Sequence, residues 1–388
     1  MVKKSQASNA TGDSRVSMAK LEKLIEDAEE HYRQGRLDAA VAAYDKVLKQ
    51  EPDHLEALEW RGELAVQLDD YERAVETLAR ARQLRGDDAF TEYTNLGLCY
   101  YELNMPEEAV ETLWRAVRRD ADDLVSHSNL GKSLYDLYAH DRVEEAVTIA
   151  GEWMRRFPNV PDAQHIGAAI SGLGLPDTAN AAYVEDIFND YAPIFDEKLA
   201  ELGYRAPALI LQALQPHLPS PNRDLVILDA GCGTGTCGPL LAPYCQRLDG
   251  VDLSPKMLEK AKSKQLYDRL SKAELTAFLN NAPDMYDVII AADVLCYFGD
   301  LSRAASGFLN ALVPTGRLGF SVERMDDATA DEPGYRLDQS GRYKHDPAYV
   351  ERILEESGLL IIDITQEDLR SEYGVSVGGL IITAAKPA

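Results

Sequence analysis

The chain has 388 residues, which is long enough for two ordinary domains. Its 65 acidic residues outnumber 40 basic ones, and the formal net charge of −25 disfavours a nucleic-acid partner because phosphate backbones are repelled. Five cysteines without a C-x-x-C pair argue against a disulfide framework and a metal site, and they fit a cytoplasmic protein. The sequence contains no run of about 18 apolar residues, so no membrane-spanning helix is expected.

The first twenty residues, MVKKSQASNATGDSRVSMAK, are mostly polar. They lack the apolar stretch of a signal peptide, and too little apolar surface is present to drive folding. We therefore expect residues 1–20 to be a disordered leader.

Small residues recur through the first half with a period near 34. The first series has spacings of 34, 35 and 34 and consists of Ala28, Gly62, Gly97 and Gly131. The second has spacings of 34, 35 and 37 and consists of Ala40, Ala74, Ala109 and Ala146. Small residues are needed where two helices cross closely, and this period is typical of tetratricopeptide repeats. The pattern predicts a solenoid over residues 21–173, with about four repeats and a terminal helix.

Solenoids of this kind usually present a concave groove to a protein or peptide. Partner binding through that groove is therefore the function expected of residues 21–173. A purely architectural role, such as self-association, is the alternative.

From Leu225 onward, apolar runs alternate with amphipathic helices. Continuous apolar runs are typical of parallel strands covered on both faces, and the runs here are LVILDA, RLDGVDLS, YDVIIAADV and GRLGFSVE. Two helix starts are predicted by an N-cap residue followed by a proline in the first helical position, at Ser254-Pro255 and at Asp346-Pro347. The last two strands, LLIIDIT and GGLIITAA, are predicted to pair antiparallel at one edge. The fold class expected for residues 174–388 is thus α/β, with a doubly wound, mostly parallel sheet of seven strands and a ligand site at the strands' carboxyl ends.

The first strand leads into a glycine-rich turn, LDAGCGTGTCG, that starts at Leu228. Such density of glycine indicates that the backbone closely approaches a bound ligand. By itself the turn suits either a dinucleotide pyrophosphate or the amino-acid end of S-adenosylmethionine. Asp252, 21 residues after Gly231 at the end of the second strand, could accept the ribose hydroxyls of either ligand.

The wider context resembles the class I S-adenosylmethionine-dependent methyltransferases. The segments LDAGCGTG, GVDLSPKMLEKA and YDVIIAADVLCYFGDL stand in the order and spacing of that family. Residues 21–385 as a whole are similar to bacterial predicted methyltransferases with an N-terminal tetratricopeptide array. This resemblance also covers FNDYAPIFDEKLAELGY before the sheet and FSVE, RYKHDPAY and LRSEYG after it. It implies S-adenosylmethionine as cofactor and methyl transfer as the reaction.

The resemblance also implies a set of cofactor-binding residues: Tyr191, Asp229, Gly231, Gly233, Gly235, Asp252, Leu253, Glu274 and Asp293. The glycines would admit the methionine part of the cofactor, and Asp229 would meet its amino group. Leu253 would pack on the adenine. Glu274 stands where the family usually has an aspartate for the adenine amine, and a surface glutamate is the alternative for this longer side chain.

Three aromatic residues before the sheet, Phe188, Tyr191 and Phe195, have the spacing of one helical face. Core packing would explain this spacing. The family resemblance suggests instead a lid over the cofactor, with the Tyr191 hydroxyl near its carboxylate.

The methyl acceptor is expected at the ends of the fourth and fifth strands. Asp293, Tyr297 and His345 are the predicted catalytic residues, with His345 the candidate general base because imidazole titrates near neutral pH. The predicted substrate-binding residues are Tyr297, Glu323, Arg342, Tyr343 and His345. A structural histidine is the alternative for His345, and no metal is expected.

The predicted function is methyl transfer to an oxygen or nitrogen of a small metabolite or a protein side chain. Neither an Asn-Pro-Pro-Tyr nor a Pro-Cys signature is present, which speaks against methylation of nucleobases. The alternative is an interaction protein or scaffold whose methyltransferase domain only binds ligand. A nicotinamide oxidoreductase is the less favoured alternative for the glycine-rich turn.

Overall fold

A computed structural model describes residues 8–86, 90–328, 333–372 and 374–388. For residues 8–19 and 90–92 it describes the backbone only. The chain divides into two compact units, of which the first ends at Ala163 and the second begins at Gln164. None of the helices in the described ranges combines the length and the apolar character needed to cross a membrane.

The first unit consists of helices that pack in sequential pairs. Their bounds are α1 Ser8–Arg33, α2 Leu37–Gln50, α3 Leu55–Gln67, α4 Tyr71–Arg85, α5 Phe90–Glu102, α6 Pro106–Arg119, α7 Leu124–Ala139 and α8 Val143–Arg156. A further helix, α9 Pro161–Ser171, begins in the first unit and ends in the second. The terminal helix expected near residue 160 is therefore present.

The small residues of the 34-residue period lie where paired helices touch. A Cβ atom on Gly62 would lie 2.4 Å from Leu78 Cδ2, and one on Gly97 would lie 2.3 Å from Leu113 Cγ. The four alanines of the second series are completely buried, namely Ala40, Ala74, Ala109 and Ala146. Close helix crossing thus accounts for both series, as the sequence predicted.

The amino terminus differs from the expected disordered leader. Helix α1 begins at Ser8, so residues 8–20 are helical, and residues 1–7 lie outside the described residues. Extending an existing helix requires no new nucleus, since each added residue gains one backbone hydrogen bond. A polar composition was therefore a poor guide to the backbone here.

The second unit opens with helices and continues as a sheet with helices between the strands. The helices are α10 Ala181–Tyr191, α11 Phe195–Glu201, α12 Ala206–Leu214, α13 Gly238–Leu241, α14 Pro255–Ser263, α15 Leu275–Asn280, α16 Ser302–Ala311 and α17 Pro347–Ser357. The strands are β1 Leu225–Ala230, β2 Cys245–Asp252, β3 Arg269–Lys272, β4 Tyr286–Ala291, β5 Leu312–Arg324, β6 Tyr335–Leu337, β7 Tyr343–His345, β8 Leu360–Glu372 and β9 Val375–Ala385.

The strand order within the described residues is β3-β2-β1-β4-β5, continued by β9 and then β8. Neighbours from β3 to β5 are parallel, whereas β9 is antiparallel to both β5 and β8. Successive residues Ile227 and Leu228 of β1 enter different apolar clusters, so both faces of the sheet are covered. The doubly wound, seven-stranded fold is confirmed, and the short hairpin β6–β7, which the sequence analysis did not predict, is added at the end of β5.

The helix ends marked in the sequence form as expected. Ser254 Oγ accepts a hydrogen bond from Met257 N at 3.1 Å, and Asp346 Oδ2 accepts one from Tyr349 N at 3.2 Å. Gly358, with φ +90°, ends α17 in the left-handed conformation that glycine adopts without strain.

The second compact unit begins at Gln164 and so includes residues 164–180, and the domain boundary at residue 174 stays a prediction. His165 Nε2 lies 2.7 Å from Gly341 O, and the Tyr343 hydroxyl donates to Pro176 O at 2.7 Å. Ala179 N donates to Tyr297 O at 2.9 Å. The segment before α10 therefore covers the β6–β7 hairpin and the residues after β4.

A fragment that begins at Ala182 should consequently be less stable than one that begins at Pro161. The shorter fragment loses the contacts of His165 and Pro176 and exposes the buried ring of Tyr343. Because these buried contacts are lost together, the melting temperature of the shorter fragment should be lower by on the order of 10 °C. Thermal denaturation of the two purified fragments measures this, and equal melting temperatures would contradict the packing described above.

Candidate cofactor and acceptor site

The glycine-rich turn joins β1 to α13 and is tied to the neighbouring strand β2. Backbone N–H groups of Gly231 and Cys232 both donate to Val251 O, at 2.8 and 3.0 Å. Gly231, Gly233 and Gly235 all have positive φ, at +71°, +51° and +85°. This conformation requires glycine on backbone grounds, whatever the turn binds.

The three glycines differ in what a side chain would meet. A Cβ on Gly231 would lie 2.1 Å from Val294 Cγ2, and one on Gly235 would lie 2.8 Å from Tyr267 Cε2. At Gly233 the nearest atom is Phe195 Cε1, at 3.7 Å, which is an ordinary contact. Internal packing thus explains Gly231 and Gly235, and Gly233 is the position where the turn leaves room for a ligand.

Asp252 ends β2 beside this turn and supports it. Its Oδ2 accepts a hydrogen bond from Gly233 N at 2.9 Å, and its Oδ1 accepts one from Ser254 N at 2.8 Å. Burial raises the pKa of Asp252, although these backbone donors oppose the rise. Each carboxylate oxygen has a second lone pair, so the group can still accept two hydroxyl donors.

Asp229 lies under the turn, and only one of its two carboxylate oxygens accepts a hydrogen bond from a described residue. The Tyr267 hydroxyl donates to Oδ2 at 2.6 Å, whereas Oδ1 is buried without a hydrogen-bond partner among the described residues. Burial raises the pKa of Asp229 to about 6. A buried carboxylate oxygen without a donor is costly, and a ligand ammonium group would satisfy it. The site therefore fits the amino-acid end of S-adenosylmethionine.

The aromatic lid expected over the cofactor is divided between two helices. Helix α10 ends at Tyr191 and α11 begins at Phe195, with Pro193 in the turn between them, so the predicted single helical face is wrong. Phe188 and Phe195 nevertheless meet edge to face, with ring centroids 6.0 Å apart. Phe195 contacts the turn at Gly233, whereas Tyr191 is 44 % exposed and its role at the cofactor carboxylate stays a prediction.

The α10–α11 segment is fixed to the glycine-rich turn and to α14 by side chains. Ser254 Oγ donates to Asn189 Oδ1 at 2.8 Å, and Lys260 Nζ donates to Pro193 O at 2.8 Å. The Thr234 hydroxyl donates to Asp196 Oδ1. These polar contacts hold the segment over the side of the turn that Gly233 leaves open.

Leu253 and Glu274 follow β2 and β3 on the predicted adenine side. Leu253 packs in the same apolar cluster as Phe188 and Tyr297, which leaves it beside the lid. Glu274 is the N-cap of α15 and accepts hydrogen bonds from Thr276 N, Thr276 Oγ1 and Ala277 N. Burial favours a raised pKa for Glu274, but these donors outweigh it and lower the pKa. Helix capping thus accounts for Glu274, and its role towards adenine stays a prediction.

The residues after β4 hold an unusual backbone conformation. Asp293 has φ +54°, which is rare for a residue other than glycine. Its N–H donates to Ser321 Oγ at 3.0 Å, and the same hydroxyl donates to Asp293 Oδ1 at 3.1 Å. Tyr297 closes a short 3-10 helix, and its ring lies 5.5 Å from that of Phe188. Burial raises the pKa of Tyr297 well above its usual range, so its hydroxyl stays neutral near pH 7.

Two arginines connect Asp293 to the ends of β5 and β8. Arg370 donates through Nη1 to Asp293 Oδ2 at 2.7 Å, through Nη2 to Glu323 Oε1, and through Nε to Glu372 Oε1 at 2.7 Å. Arg342 donates through Nε to Glu323 Oε1 at 2.7 Å and through Nη2 to both oxygens of Glu372. We refer to these five residues as the arginine network. Three carboxylates and two guanidinium groups give it a net charge of −1 when all are ionised.

Glu323 and Arg342 are predicted site residues, whereas Arg370 and Glu372 are functional candidates that the sequence patterns do not single out. Both lie in the segment LRSEYG, which carries only the family resemblance. A signal was available, because β8 runs parallel to β5 through its antiparallel partner β9, so Arg370 and Glu372 end at the same edge as Glu323. Burial raises the pKa of Asp293, and Arg370 opposes that rise.

His345 and Tyr343 do not face this edge, contrary to the sequence prediction. His345 is completely buried, its Nε2 lies 3.1 Å from Gly299 O, and its ring stacks on Tyr349. Burial lowers the pKa of His345 to about 4, so it is neutral near pH 7. Since a carbonyl oxygen can only accept, Nε2 carries the proton, and the lone pair is on Nδ1, which is buried without a hydrogen-bond partner among the described residues. Because the hairpin sequence is polar, it does not indicate that alternate side chains of β7 point into the core.

His345→Ala should therefore destabilise the protein without changing its affinity for the cofactor. Removing a fully buried ring and its hydrogen bond should lower the free energy of unfolding by about 2–4 kcal/mol. Urea denaturation of the variant measures this loss, and titration with S-adenosylhomocysteine should give an unchanged affinity. A variant of normal stability would contradict the structural role assigned to His345.

The comparisons with known proteins agree with this geometry. Residues 228–318 match the family model of a methyltransferase domain. Residues 26–89 and 93–123 match models of the tetratricopeptide repeat. No group of histidine, cysteine or carboxylate side chains suited to a metal ion occurs among the residues that the structure describes.

Curated relatives match part of the chain. Human methyltransferase-like protein 27 is 43% identical over 103 residues, which are 26% of this chain and 41% of that protein. Nodulation protein S of Rhizobium tropici is 30% identical over 114 residues, which are 28% of this chain and 46% of that protein. The chain thus spans about half the length of the curated relatives it matches.

Among solved structures, the magnesium protoporphyrin IX methyltransferase of Synechocystis with bound S-adenosylhomocysteine matches with 20% sequence identity and a TM-score of 0.41. The match covers 53% of this chain and all of that one. From its own strand order and the family models, the chain carries a class I methyltransferase domain preceded by tetratricopeptide repeats. The cofactor of this class of domain is S-adenosylmethionine.

Proposed function

We propose that this protein is an enzyme that transfers a methyl group from S-adenosylmethionine to an oxygen or nitrogen of a small metabolite or a protein side chain. The observation that carries the proposal is Asp229 Oδ1, which is buried without a hydrogen-bond partner among the described residues at the end of β1, where the glycine-rich turn begins. Asp252 ends the adjacent strand, where a ribose would follow the methionine part of the cofactor. These two carboxylates are hydrogen-bond acceptors for an ammonium group and for ribose hydroxyls, and that cofactor carries both groups.

In this proposal the residues of the chain bind and orient, and the cofactor supplies an activated methyl group. Asp229 accepts a hydrogen bond from the ammonium group and Asp252 accepts from the ribose hydroxyls. Tyr297 and Asp293 line the side from which the acceptor approaches. Holding two reactants in line can contribute roughly 7–11 kcal/mol, so a dedicated base is not required.

The arginine network supports an acceptor that is neutral or cationic when it binds. Every N–H-bearing nitrogen of Arg370 already donates to a carboxylate, and the network is net negative. An anionic acceptor would meet Asp293 and Glu372, whose side chains are each about one-fifth exposed (20% and 21%). A hydroxyl or an amine suits this surface better than a carboxylate.

The tetratricopeptide repeats are proposed to bind a protein or peptide, which is either the acceptor or a partner that delivers it. A cytoplasmic location is part of the same proposal and rests on the cysteine pattern of the sequence. The rival function, a scaffold that binds ligand without catalysis, is supported by the repeats alone.

The test has two stages. Calorimetric titration of the full chain with S-adenosylhomocysteine should show binding at one site. Radiolabelled S-adenosylmethionine is then incubated with separate pools of small metabolites and proteins, and labelled product identifies the acceptor class. Absence of cofactor binding would refute the proposal, whereas binding without transfer to any pool would favour the scaffold.

Cofactor affinity should depend on pH around the raised pKa of Asp229. The carboxylate is ionised above pH 6 and can accept from an ammonium group, and it becomes protonated as the pH falls through 6. We therefore expect the affinity for S-adenosylhomocysteine to fall about tenfold for each pH unit below 6. Calorimetric titrations between pH 5 and 8 measure this dependence. If the affinity does not change across that pH range, Asp229 does not contact the amino group.

A further inference from the structure

We propose that Tyr267 is a positioning residue for the cofactor, because its hydroxyl fixes the Asp229 carboxylate so that one oxygen faces the ligand. This inference rests on the proposed cofactor site. Tyr267 was not assigned a role in the sequence analysis, and it lies outside both the glycine-rich turn and the strand that follows it.

The backbone beside Tyr267 is anchored to the sheet. Tyr267 lies between α14 and β3, and its neighbour Asp268 makes two hydrogen bonds with Leu248 of β2. Asp268 N donates to Leu248 O at 2.8 Å, and Leu248 N donates to Asp268 Oδ2 at 2.8 Å. This reciprocal pair fixes where the Tyr267 side chain begins.

Three glycines from different elements make room for the Tyr267 ring. A Cβ on Gly235 of the turn would lie 2.8 Å from the ring, one on Gly238 of α13 would lie 3.2 Å from it, and one on Gly250 of β2 would lie 3.0 Å from it. These separations are too short or very tight for carbon atoms, so the ring occupies space that only glycine leaves. Part of the glycine pattern of the turn therefore serves Tyr267 rather than the ligand directly.

The ring position directs the hydroxyl to one oxygen of Asp229. The O···O distance of 2.6 Å is that of a strong hydrogen bond to a charged acceptor. Burial, and then the charge of Asp229, raise the pKa of Tyr267, so the hydroxyl keeps its proton and donates. With Oδ2 engaged, Oδ1 is the oxygen left for an ammonium group.

Four charged or titratable neighbours act on Asp229. The hydrogen bond from Tyr267 lowers its pKa, the nearby Cys237 thiol and Lys264 also lower it, and Asp252 raises it, all against the larger effect of burial. Removing the Tyr267 hydroxyl therefore raises the pKa of Asp229 further, and the carboxylate becomes protonated at a higher pH.

The test compares Tyr267→Phe with the wild-type full chain by calorimetric titration with S-adenosylhomocysteine between pH 5 and 8. Phenylalanine keeps the ring among the three glycines and removes only the hydroxyl. We expect about a tenfold loss of affinity at pH 7.5 and an upward shift of about one unit in the pH at which binding weakens. The matched control is Tyr244→Phe, since Tyr244 packs on the same face and its hydroxyl contacts Gln215 rather than a carboxylate.

A double-mutant cycle with Asp229→Asn provides a second measurement. If Tyr267 acts through Asp229, Tyr267→Phe should weaken binding no further in the Asp229→Asn background. Unchanged affinity and pH dependence in Tyr267→Phe would overturn the inference while leaving the proposed function intact. A parallel loss of affinity and melting temperature without a pH shift would assign Tyr267 a structural role only. Failure of the wild-type chain to bind S-adenosylhomocysteine would overturn both proposals.

Discussion

Asp252→Ala should lower the affinity for S-adenosylhomocysteine by about 10²-fold or more. In the proposed site the variant loses an acceptor for two ribose hydroxyls, and hydrogen bonds to a charged group contribute about 1.5–3 kcal/mol each. It also loses the two backbone hydrogen bonds from Gly233 and Ser254, which shape the ligand side of the turn. Calorimetric titration measures the affinity, and thermal denaturation shows whether the domain remains folded.

Asp249 supplies the matched control for this prediction. It lies on the same strand and is buried, and it accepts a hydrogen bond from the Tyr286 hydroxyl at 3.1 Å rather than from the turn. Asp249→Asn should change the melting temperature without changing cofactor affinity. If Asp252→Ala binds normally, or if both variants lose affinity to the same extent, the assignment of Asp252 is incorrect.

Arg370→Met should lower the free energy of unfolding at neutral pH by on the order of 3–5 kcal/mol. Arg370 is 6% exposed, and its removal leaves the buried carboxylate of Glu323 and the largely buried carboxylate of Asp293 without the cation that joins them. Arg342 still reaches Glu323, so the larger share of the loss should fall on Asp293. Urea denaturation at pH 7.5 measures the change.

The Arg370→Met loss should diminish as the pH is lowered. Without the guanidinium group the pKa of Asp293, already raised by burial, rises further above its value in the unfolded chain. Protons then bind the folded state more strongly, and acidification restores stability. Arg352→Met is the control, since Arg352 lies on α17 in an exposed pair with Glu356 and should cost less than about 1 kcal/mol. Equal losses in the two variants would contradict the buried network.

The repeat period and the strands could be predicted because both are local patterns. A residue every 34 positions must be small if helix pairs stack in register, and Gly62 and Gly97 show that requirement directly. The strand LVILDA matches β1 residue for residue, since a buried parallel strand is apolar along its whole length. The N-caps Ser254 and Asp346 form as predicted for the same reason, because a cap bonds only to residues three positions away.

The acceptor side could not be assigned in the same way. His345 follows a polar tripeptide and looks available for catalysis, yet the pairing of β7 with β6 and β5 turns it into the core. Arg370 is 77 residues from Asp293 in the chain, and no spacing rule links them. They come into contact because β8 pairs with β9, and this pairing brings the end of β8 to the edge of the sheet where Asp293 lies.

The two architectures, the order of the strands along the chain and the position of the glycine-rich turn could be predicted from the sequence, because they follow from periodicity and from short-range backbone geometry. Three further features required the packed structure: which glycines serve packing and which one leaves open space, the hydrogen bond from Tyr267 to Asp229, and the binding of carboxylates from β5, β8 and the loop after β4 by two arginines. Those outcomes depend on side-chain direction and on burial, which are properties of the packed sheet, and residues far apart in the chain set both of them.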